Sequence, residues 1–243
     1  MLKASANLIK DLKKQKRTNP NLLFLDNPKI IKDALKAGHK PKLVLTSNEG
    51  KFEFPYLDSE KIFLTEKSVI EDLSDVKTPQ GVCVILEYIQ HIAEKPKSNF
   101  LVLDGLQDPG NVGTLIRTAK ASGFNDVYLI DSVRETNMKM IRSSAGASFN
   151  INLYSISRED FIKFAKDNKL LLLKTDMKGE NIFNFESKKQ IGVVIGNEGQ
   201  GVSKEISKIC QKSVSIPMKE GIESLNAGVS GAIIMYQINK NQF

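Results

Sequence analysis

Residues 215–237 read SIPMKEGIESLNAGVSGAIIMYQ, and their pattern constrains how the rest of the chain is arranged. Val214 and Ile216 form the end of a short strand that Pro217 breaks. A polar loop follows and leads through Ser224, Leu225 and Asn226 into an apolar helix. A helix that is apolar on nearly all sides must bury most of its surface against other elements. The polar cluster at its start then borders a packed core, where side chains can be held in place for chemistry.

Upstream of that stretch, strands alternate with helices. Residues 100–103, 127–130, 149–153, 170–173, 191–195 and 214–216 read as strands, and the runs at 170–173 and 191–195 are continuously apolar. Such runs mark strands buried on both faces. Helices are predicted at 114–122, ended by Gly123, at 137–143, from Ser157 to Lys166, and from Ser203 to Cys210. The alternation predicts an α/β fold with a C-terminal parallel sheet and helices on both faces.

The first 87 residues follow a different plan and are expected to form a small N-terminal α/β domain. A basic amphipathic helix is predicted over 2–16, and a second from Asn27-Pro28, with Asn as cap and Pro in the first turn, to a stop at Gly38. Residues 42–45, 62–64 and 81–86 read as strands and 67–73 as a short helix. Residues 88–99, with Pro96 among polar and charged neighbours, read as a linker. The expected division is therefore 1–87, a linker at 88–99, and 100–243.

Composition narrows the function. The 41% hydrophobic content suits a globular chain, and no apolar run approaches the ~20 residues that span a membrane. The N-terminus lacks the apolar core of a secretory signal, so a cytoplasmic location is expected. Cys83 and Cys210 are far apart, and His39 and His91 are the only histidines, which argues against a zinc site and histidine catalysis. The net charge of +7 points to a polyanionic partner. Between Lys3 and Arg17 the chain carries Lys3, Lys10, Lys13, Lys14, Lys16 and Arg17 against one acid, Asp11. That run is either a solvated helix face or an RNA contact, with Lys13, Lys14 and Arg17 as candidates.

In open parallel sheets, ligands sit beyond the carboxyl ends of the strands. Three polar loops lie there: Asp104 to Thr114, leading to Arg117; Gly196 to Gly201; and Pro217 to Asn226. A nicotinamide enzyme is the first rival reading, with Asp131 at a strand end to hold a ribose. Neither glycine-bearing loop has the GxGxxG spacing, and capping the next turn is the expected role of Asp131.

Taken together and in order, the loops resemble the three motifs of the SpoU (TrmH-like) branch of the SPOUT RNA methyltransferases. DPGNVGT at 108–114 with IRTA at 116–119 is similar to the first motif, IGNEGQGV at 195–202 to the second, and IPM at 216–218 with SLN at 224–226 to the third. KTPQGV at 77–82 resembles the end of that family's N-terminal, ribosomal-protein-like substrate-binding domain.

The resemblance implies a deep trefoil knot in the C-terminal domain, a homodimer formed through that domain, and no metal. It implies transfer of a methyl group from S-adenosyl-L-methionine to a ribose 2'-hydroxyl in RNA, with 23S ribosomal RNA favoured over tRNA by the two-domain layout. It also implies a catalytic set of Asn111, Arg117, Glu198, Ser224 and Asn226; by its chemistry Glu198 either orients Arg117 through a charge-assisted bond or is a surface turn acid. Thr175, Gly196, Asn197, Ile216, Met218 and Leu225 are implied on the cofactor. Arg142, in the IRSSAG segment, is either a phosphate contact or a helix-end cation. A different class, an RNA-binding ribosome assembly factor that keeps the fold without catalysis, is the alternative. Gly228 and Gly231 in the last helix cost about 1 kcal/mol each relative to Ala, which points to close backbone packing there.

Overall fold

The computed structural model describes residues 2–47, 61–222 and 224–242. The chain packs as two compact units, Met1–Ile89 and Gln90–Phe243. Residues 90–99 contain only an irregular extended segment and belong to the second unit.

In the first unit, five strands pair in the order β1 (Leu2–Lys3), β4 (Ile62–Leu64), β3 (Pro41–Thr46), β5 (Val82–Glu87), β2 (Leu22–Leu25). The β5 strand runs antiparallel to both neighbours, and the remaining pairs are parallel. Helices α1 (Ala6–Thr18), α2 (Pro28–Lys36) and α3 (Lys67–Leu73) accompany the sheet. Leu12 of α1 and Ile70 and Leu73 of α3 join Leu22, Phe24, Leu43, Leu45, Cys83 and Ile85 in one core.

The first helix starts later than its periodicity predicts. Ser5 is extended and its side chain accepts from Leu8 N, so the helix begins at Ala6 and Leu2–Lys3 pairs with β4 instead. Asn27 caps α2 as expected, accepting from Lys29 N and Ile30 N. Lys13 and Lys16, one turn apart, face Asp72 and Asp75, at 2.6 and 2.8 Å. Lys13 commits its ammonium to an internal carboxylate, so Lys14 and Arg17 are the better placed of the three expected RNA contacts. Lys10, Lys14 and Arg17 form a separate exposed stripe on α1.

The second unit is built on six parallel strands in the order β11 (Lys212–Ser215), β9 (Leu172–Asn181), β10 (Gly192–Gly196), β6 (Phe100–Asp104), β7 (Asp126–Ile130), β8 (Asn152–Ile156). From β6 the chain moves outward through β7 and β8, then crosses to the other side for β9. The strand order thus reverses between β6 and β10, where a ligand crevice opens in such sheets.

Helices α4 (Pro109–Ala121), α5 (Met138–Ser143) and α8 (Ala227–Ile238) pack together, as do α6 (Arg158–Asp167) and α7 (Lys204–Ser207). Around α6 and α7 the core gathers Phe100, Tyr128, Tyr154 and Phe161, with Tyr128 edge-on to Phe100 and tilted against the other two rings. After β11, at the sheet's outer edge, the chain returns to lay α8 on α4. Gly231 sits at that contact. A Cβ there would lie 2.2 Å from Leu115 Cδ2 and 2.5 Å from Ile195 Cδ1.

In the second unit four boundaries differ by more than two residues from the sequence reading, and the first is α4, which begins at Pro109 rather than Thr114 because Asp108 caps it. The β8 strand begins at Asn152, because Ala145 and Gly146 take positive φ and lead into a 3-10 turn at Ala147–Phe149. Helix α7 ends at Ser207, short of Cys210. The β9 strand continues through polar residues to Asn181, where Gly179 lets its backbone press against that of Val214 in β11.

Candidate active site

Each of the three loops is set by its own capping or turn chemistry. In the first, Asp108 caps α4 through a 2.9 Å bond from Gly110 N, with Pro109 in the first turn. Asn111 follows in that turn. At Gly113 a Cβ would fall 2.6 Å from Met140 O, so the small residue lets α4 and α5 close together.

The second loop is a tight reversal. Asn197 N donates to Gly201 O at 3.0 Å and Gly201 N to Asn197 O at 2.8 Å. The Asn197 side chain accepts from Gly199 N and Gln200 N, and its Nδ2 donates to Gly105 O at 2.8 Å, tying this loop to the first. In the third loop, Glu223 lies outside the described residues. Asn226 caps α8 by accepting from Gly228 N and Val229 N.

One line of amide bonds joins all three. Asn226 Nδ2 donates to Asn111 Oδ1 at 2.9 Å, and Asn111 Nδ2 donates to Glu198 Oε1 at 3.1 Å. An ionised carboxylate can only accept, and Asn226 Oδ1 is engaged by two N–H groups, so both amide orientations follow from the network. This corrects the expectation that Glu198 holds Arg117. Arg117 stands exposed on α4, with no ion pair among the described residues.

Behind this line lies a cleft of about 910 Å³ at the carboxyl ends of β9, β10 and β11. Thr175, Gly196, Asn197, Ile216, Met218 and Leu225 all line it, as do Glu198, Ser224 and Asn226. Asn111 touches the set through its hydrogen bonds, whereas Arg117 and Arg142 do not line the cleft. Arg142 is half-buried on α5.

The sequence reading missed Lys174, Asp176, Ser230 and Ile234 on the cleft wall. Asp176 accepts from Lys178 N and Lys174 Nζ, both at 3.0 Å, and these bonds, the backbone one foremost, hold its carboxyl below the usual range. Lys174 also donates to Ser207 Oγ at 2.8 Å. For Lys174 and Asp176 the available signal was position alone, as polar residues that follow a buried apolar run.

An ion-pair clamp braces the site from below. Asp104, buried at the end of β6, accepts from Arg158 Nε and Nη2 at 3.2 and 3.1 Å and from Ser203 N at 2.7 Å. Arg158 Nη1 lies 3.1 Å from Asp131, whose φ is 46°. Asp131 is thus an ion-pair partner, which corrects the turn-capping expectation. Among the described residues, no group of three or more His, Cys, Asp or Glu side chains is placed to hold a metal, and no helix is long and apolar enough to cross a membrane.

Fold and cleft define a parallel-sheet α/β protein with a ligand-sized crevice beside its strand-order switch point. The profile of the SpoU rRNA Methylase family matches residues 98–236, and the chain belongs to that family. It is 26% identical over 239 residues to the 23S rRNA (guanosine(2553)-2'-O)-methyltransferase RlmP of Bacillus subtilis, covering 95% of each chain. A TrmH family protein of Staphylococcus saprophyticus is 31% identical over 229 residues, 86% of this chain and 91% of that one. The fold matches that of an AdoMet-bound rRNA methyltransferase from Sinorhizobium meliloti with a TM-score of 0.85 at 21% identity, covering 100% of this chain and 98% of that one.

Proposed function

We propose that this chain methylates a ribose 2'-hydroxyl of 23S ribosomal RNA, using S-adenosyl-L-methionine. Membership of the SpoU family and the likeness to RlmP over 95% of both chains support the reaction and the RNA class. The observation that carries the reading is the Asn226–Asn111–Glu198 line joining three loops beside a 910 Å³ cleft.

The cleft suits the cofactor in size and lining. Ile195, Ile216, Leu225 and Ile234 offer apolar wall for an adenine, and Gly201 leaves backbone open to close approach. Thr175, Asn197 and Met218 complete the proposed contacts. When bound, S-adenosylmethionine supplies an electrophilic methyl carbon. Glu198, Asn111, Ser224 and Asn226 then orient the attacking ribose hydroxyl. Arg117 holds the neighbouring phosphate and stabilises the alkoxide as it develops, a role that suits a guanidinium that rarely gives up its proton.

The reading extends to the whole chain. Residues 1–87 serve as an RNA substrate-binding domain of ribosomal-protein-like type, with Lys14 and Arg17 on phosphate. Residues 88–99 link it to the methyltransferase domain, whose C-terminal segment forms the trefoil knot. Arg142 adds an RNA contact. A homodimer forms through the C-terminal domain, supported by Val229 and Tyr236, which leave apolar surface exposed on α8. A cytoplasmic location, where ribosomal RNA is modified, fits the absence of a membrane-crossing helix among the described residues.

The test is transfer of labelled methyl groups to unmodified ribosomal and transfer RNA pools, followed by mapping of the modified ribose. Arg117→Ala should abolish transfer while leaving the unfolding transition in place. Turnover equal to wild type would remove Arg117 from the mechanism, and label confined to tRNA would redirect the substrate.

A further inference from the structure

A second cleft, of about 390 Å³, lies on the other side of the first loop, and the proposed chemistry makes no use of it. Its lining is Gln107 and Pro109 from the loop after β6, and Ser132, Val133, Arg134, Thr136 and Asn137 from the segment after β7. Pro109 stands two residues before Asn111, so this cleft and the site share one loop.

The walls are fixed by internal bonds. Leu106 N donates to Ser132 Oγ at 3.0 Å, Val133 N to Leu106 O at 2.9 Å, and Asn137 N to Arg134 O at 3.0 Å. Those bonds also determine what the cleft presents. Gln107 Nε2 donates to Asp131 O at 2.8 Å, which leaves its Oε1 as an acceptor. Asn137 Oδ1 is engaged by Lys139 N and Met140 N, which leaves its Nδ2 as a donor. Arg134 is exposed, with no ion pair among the described residues. Lys139, also exposed, approaches Asp108 only to 3.9 Å.

We propose that this cleft seats a nucleotide flanking the methylated one, and that Arg134 holds its phosphate while Gln107 and Asn137 meet its base edge. The inference rests on the RNA-methyltransferase reading and deepens it by naming a second recognition point. The volume lies within the ~300–1,000 Å³ of small-ligand sites. A held acceptor and a held donor lining one cleft can meet a base edge, and RNA readers take splayed single-stranded bases in this way. The exposed Arg134 supplies the phosphate attraction. A small inorganic anion would leave the Gln107 acceptor with no donor to meet.

The experiment uses the full chain and an unmodified 23S rRNA transcript, with Arg134→Ala, Arg134→Lys and Gln107→Glu variants. Arg134→Ala should raise KM for the transcript about tenfold and lower the salt slope of binding by about one, at unchanged kcat and unchanged S-adenosylmethionine affinity. Arg134→Lys should recover part of that loss. On transcripts randomised beside the methylated nucleotide, Gln107→Glu should change the preferred base at one flanking position. With 4-thiouridine in the transcript, crosslinks should map to residues 132–137.

Wild-type methylation with no KM change, no altered flank preference and no crosslink at 132–137 would overturn the subsite and leave the functional reading standing. Crosslinks at 132–137 without any methyl transfer would uphold the subsite and overturn the reaction. Failure of both methylation and crosslinking would overturn both.

Discussion

Gly196 offers a sharp test of how the cofactor cleft is built. A Cβ at this position would sit 2.1 Å from Gly201 C and 2.1 Å from Val202 N, and both are backbone atoms that no rotamer change can move. Gly196→Ala must therefore push the 197–202 reversal away from the end of β10. The bonds most exposed to that shift are Asn197 N to Gly201 O and Gly201 N to Asn197 O. At about 1 kcal/mol net each, their loss amounts to about 2 kcal/mol.

If that loss falls on the form that binds S-adenosylmethionine, affinity drops about 30-fold, by the rule of about 1.4 kcal/mol per factor of ten. Isothermal calorimetry on the variant measures this directly, with urea unfolding to record how much of the effect falls on global stability. Gly199→Ala is the matched control. Its Cβ meets only Asn197 Oδ1, at 3.6 Å, an ordinary contact, and its affinity should stay within about twofold of wild type. Wild-type affinity and stability in Gly196→Ala would refute the close-packed account of the loop, and an equal loss in Gly199→Ala would show that the loop tolerates no side chain for another reason.

Arg158→Met removes the partner of a buried carboxylate and should destabilise the chain by about 2–3 kcal/mol in urea, with much of the loss recovered when Asp104→Asn is added. On α1, Lys14→Ala should weaken RNA binding and reduce its salt slope by about one, whereas Lys13→Ala, which loses its pair with Asp72, should change stability by under about 1 kcal/mol and leave the slope in place. Burial pushes the Cys83 and Cys210 thiols up to about 12 from an ordinary value of 9.0. Both should label slowly at pH 8 in the native protein and quickly in urea. Because the folded state keeps these protons, their contribution to stability is intact below pH 9 and is lost as pH rises from about 9 to 12, a decline that should be shallower in Cys210→Ser.

Much of the second unit could be read from residue pattern because its strands are continuous apolar runs and its loops carry strong caps. Asn137, Ser157, Ser203 and Asn226 all cap helices at or near the positions the sequence marks, whereas Asp108 caps α4 inside a stretch that reads as loop. The polar half of β9 was not legible. Residues 174–178 line a cleft rather than a core, and 179–181 are small or polar, so neither apolar content nor alternation marks them as strand. The β2 strand escaped for the opposite reason, since Leu22–Leu25 is buried throughout and too short to separate from a helix fragment.

The candidate site was legible as a set of motifs but not as a network. Spacing along the chain gives no means of seeing that Glu198 accepts from Asn111, 87 residues away, rather than from Arg117. The Asp104–Arg158–Asp131 clamp was invisible for the same reason. It joins three segments whose proximity exists only once β6, β7 and α6 are assembled.

The return of α8 to α4 bears on the order in which the molecule is completed. Asn226 bonds Asn111 across 115 positions, and Asn239, buried at the far end of α8, bonds Asn99 and Ser122 across 140 and 117. Contacts this distant carry the largest chain-closure entropy and form late. The wall of the large cleft that runs from Ser224 to Ile234 belongs to the same late seam. A partly folded chain therefore has no finished cleft, and a ligand held there fastens the seam that opens first. Ligand concentration then governs how long the folded chain lasts as well as how fast it works.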